Sequence, residues 1–234
     1  MRAFLPLWLM VGLVSTATVR AQAPGPQPDF SGTYVGADPY VQPDVYPFSA
    51  EGQRAQRAHD PFSGDPSQYD CLPEDMPQVI LWGVTIMQIA QEDGSIVMSV
   101  ERGDTVRSIH IDGVSPPADQ PHTELGFSVG RWAGGVLTVE TTHLAGGVLF
   151  AEEGFPVSRE TLITERYWRE AGESTLRMEL VIDDRVNYTE PLMFQREWLW
   201  APEETVHPYR CFSMELNESE AVDIEDLKRR LEPL

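Results

Sequence analysis

The sequence predicts a mainly β protein, an antiparallel meander that closes into a barrel or barrel-like domain with short helices at both ends. Beyond residue 79, apolar residues recur with a period of two, as expected of strands. Turn-forming pairs such as Asp93-Gly94 separate these stretches at short intervals. Closing such a meander removes its exposed edges, whereas a flat sandwich of the same strands is the competing fold.

The same patterns define the elements. Ser49 can cap a short helix that runs to about His59. Seven or eight strands are expected from the stretches at 80–87, 96–100, 106–112, 127–132, 136–143, 161–169, 175–183 and 188–198. A barrel of about eight strands encloses an interior just wide enough for one small ligand. The predicted domain is therefore lipocalin-like, and its interior is where we expect a binding site.

The two ends of the chain predict export and flanking segments. Arg2, an apolar run and the signature Ala21-Gln22-Ala23 predict that residues 1–23 are a cleaved signal peptide, so we expect a periplasmic or secreted protein. Residues 24–48 are predicted to be a Pro/Gly-rich extension, 49–217 the barrel-like domain, and 218–234 an exposed helix and tail. No later stretch is long and apolar enough for a membrane helix.

The composition narrows the choice of partner. The 234 residues include 17 Lys+Arg and 37 Asp+Glu, a formal charge of −20. This balance argues against nucleic acid and against anionic membrane surfaces, because both are bound mainly through basic side chains. Six Trp, seven Tyr and nine Phe need burial, more than a plain meander requires. The expected partner is therefore a small apolar or aromatic molecule, with no cofactor.

The two cysteines, Cys71 and Cys211, are expected to form a disulfide, because oxidising compartments stabilise such bonds. The bond would close a loop of about 140 residues and stabilise the fold by roughly 5 kcal/mol in the chain-entropy treatment. Two unrelated free thiols are the alternative.

The segment from Gly126 to Thr142 reads G-F-S-V-G-R-W-A-G-G-V-L-T-V-E-T-T. It resembles a family of exported bacterial proteins of uncharacterised function, in which this segment reads G-H-S-x-G-x-W-E-G-D-T-L-V-V-x-T. The resemblance covers roughly residues 49–211 and supports fold and compartment more than catalysis. Three polar family positions are changed here, to Phe127, Ala133 and Gly135.

Two histidines on predicted strands are candidates for acid–base chemistry. His110 and Asp112 are two residues apart and face the same way, so they can share a proton or a metal, or simply form a solvated polar face. His143 falls on the face that carries Leu137 and Val139. It is either a hydrogen-bonded core residue or the polar group of a ligand cavity. His122, in a loop, is placed to cover an opening.

Glu165 and Tyr167 share one strand face, so a buried pair would raise the pKa of the Glu165 carboxyl and make it a proton donor. A cross-strand salt bridge is the alternative. Arg131 is expected either to face solvent or to pair with Glu165 or an anionic ligand. The candidate catalytic residues are thus His110, His143 and Glu165. The candidate ligand-binding residues are Trp82, Arg131, Trp132 and Tyr167.

No nucleophile elbow, zinc-protease motif, phosphate loop or C-x-x-C pair is present. Asp183-Asp184 fits a turn or a Ca²⁺ site, and we assign no metal. The sequence therefore predicts an exported barrel that binds a small, largely apolar molecule. One alternative is a cofactor-independent lyase, isomerase or hydratase in the same cavity, because such enzymes need few polar groups. The other is a periplasmic interaction or structural protein that docks through residues 24–48 and exposed edges.

Overall fold

Nine of the strands in the computed structural model close into a barrel, which confirms the predicted fold and excludes the sandwich. The structure describes residues 27–60, 74–81, 86–111, 113–150 and 152–209. The barrel strands are β1 Gly32–Val41, β2 Ile86–Glu92, β3 Ser95–Val100, β4 Thr105–Ile111, β5 Phe127–Ala133, β6 Val136–Thr142, β9 Leu162–Trp168, β10 Leu176–Asp183 and β11 Leu192–Trp200. The short strands β7 Gly147–Val148 and β8 Pro156–Val157 form a separate pair.

The order around the barrel is β1-β11-β10-β9-β6-β5-β4-β3-β2. Strand directions cannot alternate all the way around a ring with an odd number of members, so at least one neighbouring pair must be parallel. That pair is β4 and β5, joined by a ladder of only three residue pairs, Ile109–Ile111 with 128–130. The prediction of a wholly antiparallel meander is wrong at this one seam. The chain between the two strands, residues 112–126, is long, as a parallel connection requires.

The sequence predicted that residues 24–48 form an extension, but part of this segment belongs to the barrel. Within it, β1 pairs with β2 on one side and with β11 on the other, and so closes the ring. Gly36, Asp38 and Pro39 interrupt its alternation, and the register with β11 shifts between Ala37 and Val41. These poor strand formers conceal the strand in the sequence. The barrel domain therefore begins well before residue 49.

The described helices are α1 Ala50–Ala58 and α2 Gln78–Leu81. In α1 the predicted cap is confirmed, since Ser49 Oγ accepts a hydrogen bond from the Gly52 amide at 3.0 Å. By contrast, the strand predicted from residue 80 begins only at Ile86, because residues 78–81 are helical. All four α2 residues are buried, and a short apolar run buried on every side has no period that separates helix from strand.

Alternation along each strand places one set of side chains inside the barrel. On this inner face of β9, β10 and β11, no side chain is more than 3% exposed except Trp200, the last residue of β11, at 38%. A void large enough for a ligand would leave the side chains around it accessible, so along these strands the described side chains fill the interior. The inner face is apolar except for a few groups, chief among them Arg107, Ser128, Thr141 and Glu165. No helix in the described ranges is long and apolar enough to span a membrane.

Candidate functional site

A pocket of about 420 Å³ opens through the barrel wall where β4 and β5 separate. The β4–β5 ladder begins only at Ile109, so the first half of β4 has no partner strand on this side. The preceding loop, which leads into β5, supplies the rest of the rim. The lining residues are Arg107, Ser108, His110, Gln120, Thr123, Leu125, Gly126, Phe127 and Ser128. The irregular seam of the barrel is thus also the position of its pocket.

The outer part of the pocket is formed by residues that point away from the barrel interior. Ser108 and His110 alternate with the inward Arg107 and Ile109 on β4, and Phe127 precedes the inward Ser128 on β5. The His110 and Phe127 rings stack with their centroids 4.6 Å apart and their planes inclined by 18°. This stack provides a flat, half-buried aromatic surface beside the opening.

One of the lining residues, Arg107, forms a buried ion pair with Glu165. Arg107 Nη1 and Nη2 donate to the two Glu165 carboxylate oxygens, both at 2.8 Å, from strands on either side of β5 and β6. The two side chains are 2% and 0% exposed. Two charges removed from water are costly unless they meet in good geometry, and this bidentate arrangement is the favourable one. Tyr167 adds a donor to Glu165 Oε2 at 2.7 Å.

Hydroxyl groups complete the network. Ser128 Oγ accepts from Arg107 Nε at 3.1 Å and from Nη2 at 3.0 Å. Because these bonds occupy both lone pairs, Ser128 must be the donor in its 2.9 Å contact with Thr141. Thr141 Oγ1 also accepts from Arg107 Nη2 at 2.8 Å. The network joins four strands and carries no net charge when Arg107 and Glu165 are ionised.

Burial and pairing shift the ionisation of this network. Burial alone lowers the pKa of the Arg107 guanidinium, but the Glu165 carboxylate more than offsets it, and the pKa is raised. Burial, followed by the Glu165 carboxylate, raises the pKa of the Tyr167 hydroxyl well above its ordinary value. Arg107 therefore stays charged and Tyr167 stays protonated across the neutral range.

Glu165 and Tyr167 share the inner face, as their spacing predicted, and Glu165 forms a salt bridge. Its partner is Arg107 and not Arg131. Arg131 is exposed on the outer wall and pairs with Glu140 at 3.3 Å. Of the two expectations for Arg131, the structure shows the solvent-facing one and not the pairing with Glu165, because the odd spacing from Ser128 turns its side chain outward. Trp132 packs against Phe30, with ring centroids 5.1 Å apart, and does not line the pocket.

The three candidate catalytic residues do not converge. His110 lies on the outer rim of the pocket, whereas Glu165 lies inside the barrel. His143 follows the end of β6 with a φ of 59°, which breaks the alternation that placed it on an apolar face. Its Nδ1 is 2.8 Å from Thr142 Oγ1, and its ring centroid is 5.4 Å from that of His122. His122 does not line the pocket, and its Nδ1 lies 2.7 Å from the Leu144 carbonyl oxygen.

The structure bears on the predictions for Asp183-Asp184 and for metal sites, whereas several other predicted features lie outside the described residues. Asp184 is a turn former: its carboxylate accepts from Ser158 and from the backbone of Val186 and Asn187. Among the described residues, no group of three or more His, Cys, Asp or Glu side chains is arranged to hold a metal ion. The following lie outside the described residues: the signal peptide, the C-terminal helix, Cys71, Trp82, Asp112 and Cys211.

Arg107, Ser128 and Thr141 were not among the site residues predicted from the sequence. A signal for Arg107 was present, since it precedes Ile109 by two residues and Ile111 by four and so falls on the apolar face of its strand. A charged residue in that position needs a buried partner. The partner itself is not readable from one strand, because it depends on the order and register of four.

Comparisons with known proteins give no functional assignment. No protein-family model matches the sequence, and no curated protein matches it. Among solved structures, a secretary abundant heat soluble (SAHS) protein from Ramazzottius varieornatus is 10% identical, with a TM-score of 0.36, over 74% of this chain and 95% of that one. The apo form of lipid binding protein 8 (LBP-8) from Caenorhabditis elegans is 8% identical, with the same TM-score and the same two coverages.

Proposed function

We propose that this protein binds a small, largely apolar molecule in the pocket between β4 and β5. The observation that carries the proposal is the pocket itself, about 420 Å³ in volume, which runs from an aromatic rim to the buried Arg107 and Ser128. Pockets for small molecules usually measure about 300–1,000 Å³ and combine apolar walls with a few convergent polar groups. Leu125 and the His110–Phe127 stack supply the apolar walls here.

The polar groups of the lining are suited to orienting a bound ligand and not to acid–base catalysis. Ser108, Gln120 and Thr123 are uncharged hydrogen-bonding groups, and Ser128 is engaged with Arg107. Because Glu165 and His143 lie apart from His110, the arrangement does not favour the alternative of a lyase, isomerase or hydratase. We therefore place binding first.

Occupancy of the pocket can be tested by filling it. Ser108→Trp adds a large side chain from the outer face into the pocket without enlarging the core, and Met193→Trp adds the same group on the exposed face of β11. Binding of 2-naphthol and 1-decanol is measured by calorimetry and by amide shifts in the NMR spectrum. We expect Ser108→Trp to abolish binding and Met193→Trp to leave it unchanged. Equal binding by both variants, or no binding by the parent protein, contradicts the proposal.

We propose further that the protein is exported after cleavage behind Ala23 and carries a Cys71–Cys211 disulfide. The apolar run followed by Ala21-Gln22-Ala23 supports the first, and the presence of only two cysteines in such a chain supports the second. The mass of the full chain expressed with its leader, recovered from a periplasmic fraction, tests both. We expect a chain that begins at residue 24 and gains two thiols on reduction. An uncleaved chain contradicts the first proposal, and free thiols contradict the second.

A further inference from the structure

The ion pair that the lining residue Arg107 forms with Glu165 bears on the chemical class of ligand. An unpaired arginine in an apolar pocket attracts a carboxylate or phosphate, because bidentate pairing satisfies both charges. Here Glu165 already occupies both arms of the Arg107 fork, at 2.8 Å each. An anionic ligand that approached Arg107 would meet the Glu165 carboxylate at the same place.

The hydrogen-bond donors of Arg107 are also engaged. Nε donates to Ser128, Nη2 donates to Ser128, Thr141 and Glu165, and Nη1 donates to Glu165. The Tyr167 hydroxyl, which donates to Glu165 Oε2, also interacts with the Arg107 side chain. Because all three guanidinium nitrogens already donate to protein acceptors, an incoming anion would compete with them at every nitrogen. It would have to displace a protein carboxylate in order to bind.

The remainder of the lining offers no compensating positive charge. Apart from Arg107, the described lining contains no Lys or Arg. The whole chain has a formal charge of −20, which disfavours the approach of any anion. Ser108, Gln120 and Thr123 can instead exchange hydrogen bonds with a hydroxyl, carbonyl or amide group.

We infer that the pocket takes a ligand whose hydrogen-bonding end is uncharged, and that Glu165 sets this preference by neutralising Arg107. The inference rests on the proposed function and deepens it, because it names the ligand class. It also gives Glu165 a defined role: it determines specificity through Arg107 without touching the ligand. In this arrangement, discrimination comes from a repulsive element built into the site as much as from attraction.

Two pairs of matched probes test the inference at pH 8, where a carboxylic acid is ionised and an ordinary imidazole is neutral. The pairs are 1-decanol with decanoate and 2-naphthol with 2-naphthoate. We expect the neutral member of at least one pair to bind about tenfold or more tightly than its carboxylate, since like-charge juxtaposition costs that much or more. A carboxylate that binds as tightly as its neutral partner in both pairs overturns the inference and leaves the proposed function standing. If no probe binds, the proposed function itself fails.

Variants assign the preference to Glu165. Glu165→Gln removes the negative charge and keeps the shape, so Arg107 gains an unpaired charge in the pocket lining. We expect the preference for the neutral probe to shrink by about tenfold or to reverse. The matched control is Glu179→Gln, which breaks the exposed Arg166–Glu179 pair on the outer wall and should leave the ratio unchanged. An unchanged ratio in folded Glu165→Gln overturns the role assigned to Glu165.

A second variant applies if Glu165→Gln does not fold. Ser108→Lys places a positive charge at the exposed mouth of the pocket, beside Arg107 in sequence but outside the core. We expect it to tighten decanoate binding by about tenfold relative to 1-decanol binding in the same variant, because it supplies the free cation that Arg107 does not provide. Decanoate binding that is unchanged relative to 1-decanol in Ser108→Lys contradicts the inference.

Discussion

The rings of His110 and Phe127 stack across the single parallel seam of the barrel, with centroids 4.6 Å apart. His110 belongs to β4 and Phe127 to the start of β5, where the three-residue ladder between the strands ends. The stack therefore closes on the outside a seam that few backbone hydrogen bonds hold. It also forms one wall of the pocket, so the same contact contributes to both the stability of the seam and the shape of the site.

Removal of the Phe127 ring should weaken both binding and folding. Phe127→Ala deletes a half-buried aromatic side chain, and aromatic pairs contribute about 0.5–1.5 kcal/mol beyond the area they bury. We expect the free energy of unfolding in urea to fall by about 1–3 kcal/mol, and the affinity for 2-naphthol to fall about tenfold or more. Met193→Ala, on the exposed face of β11, is the control. Equal losses of affinity in the two variants would show that the stack is not part of the site.

Removing one partner of the Arg107–Glu165 pair should lower the free energy of unfolding much more than replacing both partners with apolar residues. Arg107→Ala leaves a buried carboxylate without its main partner, for which we expect a loss of about 3–5 kcal/mol in the free energy of unfolding. The variant Arg107→Met/Glu165→Leu/Tyr167→Phe removes both charges and the Tyr167 hydroxyl together. It should regain most of that loss, because no buried charge then remains.

The exposed Arg166–Glu179 pair, 2.9 Å between its atoms, provides the comparison. Arg166→Ala should lower the free energy of unfolding by less than about 1 kcal/mol, because solvent screens exposed pairs. Urea denaturation at neutral pH measures all three variants. A triple variant no more stable than Arg107→Ala would mean that the hydroxyl contacts of Ser128 and Thr141, and not the charges, dominate the network.

The sequence predicted the barrel because strands buried on one side alternate, and this holds for β3, β4, β6 and β9 to β11. It did not predict β1, since Gly36 and Pro39 interrupt that alternation, and pairing with β2 and β11 overrides these local preferences. The failure to predict the parallel β4–β5 seam has the same cause. With β1 counted, the ring has nine members and cannot alternate throughout, so the strand missed in the sequence also concealed the seam.

The candidate site was predictable only in part. The shared face of Glu165 and Tyr167 follows from their spacing of two, a property of one strand. The choice of Arg107 over Arg131 as the partner depends on which residues of β4 and β5 face inward and on the strands between them and β9. His143 was misplaced because a positive φ at the end of a strand cannot be seen in an alternating pattern. The periodicity of one strand thus predicts which face a side chain lies on. Which residue it contacts depends on the register between strands.

Two adjacent aspartates should differ sharply in their effect on stability. The Asp184 carboxylate is buried and accepts five hydrogen bonds, from the backbone and side chains of Ser158 and Asn187 and from the Val186 amide. We expect Asp184→Ala to lower the free energy of unfolding by about 2–4 kcal/mol, because several buried donors lose their acceptor. Asp183→Ala, whose carboxylate pairs at the surface with Arg185, should cost less than about 1 kcal/mol. Similar costs in thermal or urea unfolding would contradict the assignment of Asp184 as the turn former.

The Tyr40 hydroxyl should reduce stability at high pH and be dispensable at neutral pH. Burial raises its pKa to about 12, against the opposing effect of Arg196. A raised pKa means that the folded state binds this proton more tightly than the unfolded state does. This proton linkage therefore leaves the free energy of unfolding unaffected below pH 10, the ordinary value, and lowers it as the pH rises from 10 to 12.

Tyr40→Phe tests both parts of this argument. The hydroxyl is buried, and within the described residues it has no hydrogen-bond partner, so its removal should leave the free energy of unfolding at pH 7 unchanged or slightly higher. The Arg196 guanidinium lies 5.0 Å from the ring centroid, and phenylalanine keeps that contact. Between pH 10 and 12 the variant should lose less stability than the parent in urea titrations. Tyr188→Phe is the control: its pKa is also raised, but its hydroxyl donates to the Pro156 carbonyl at 3.0 Å, so we expect a loss of about 1 kcal/mol already at pH 7. Parallel alkaline curves for the parent and Tyr40→Phe would show that this proton is held no more tightly in the folded state.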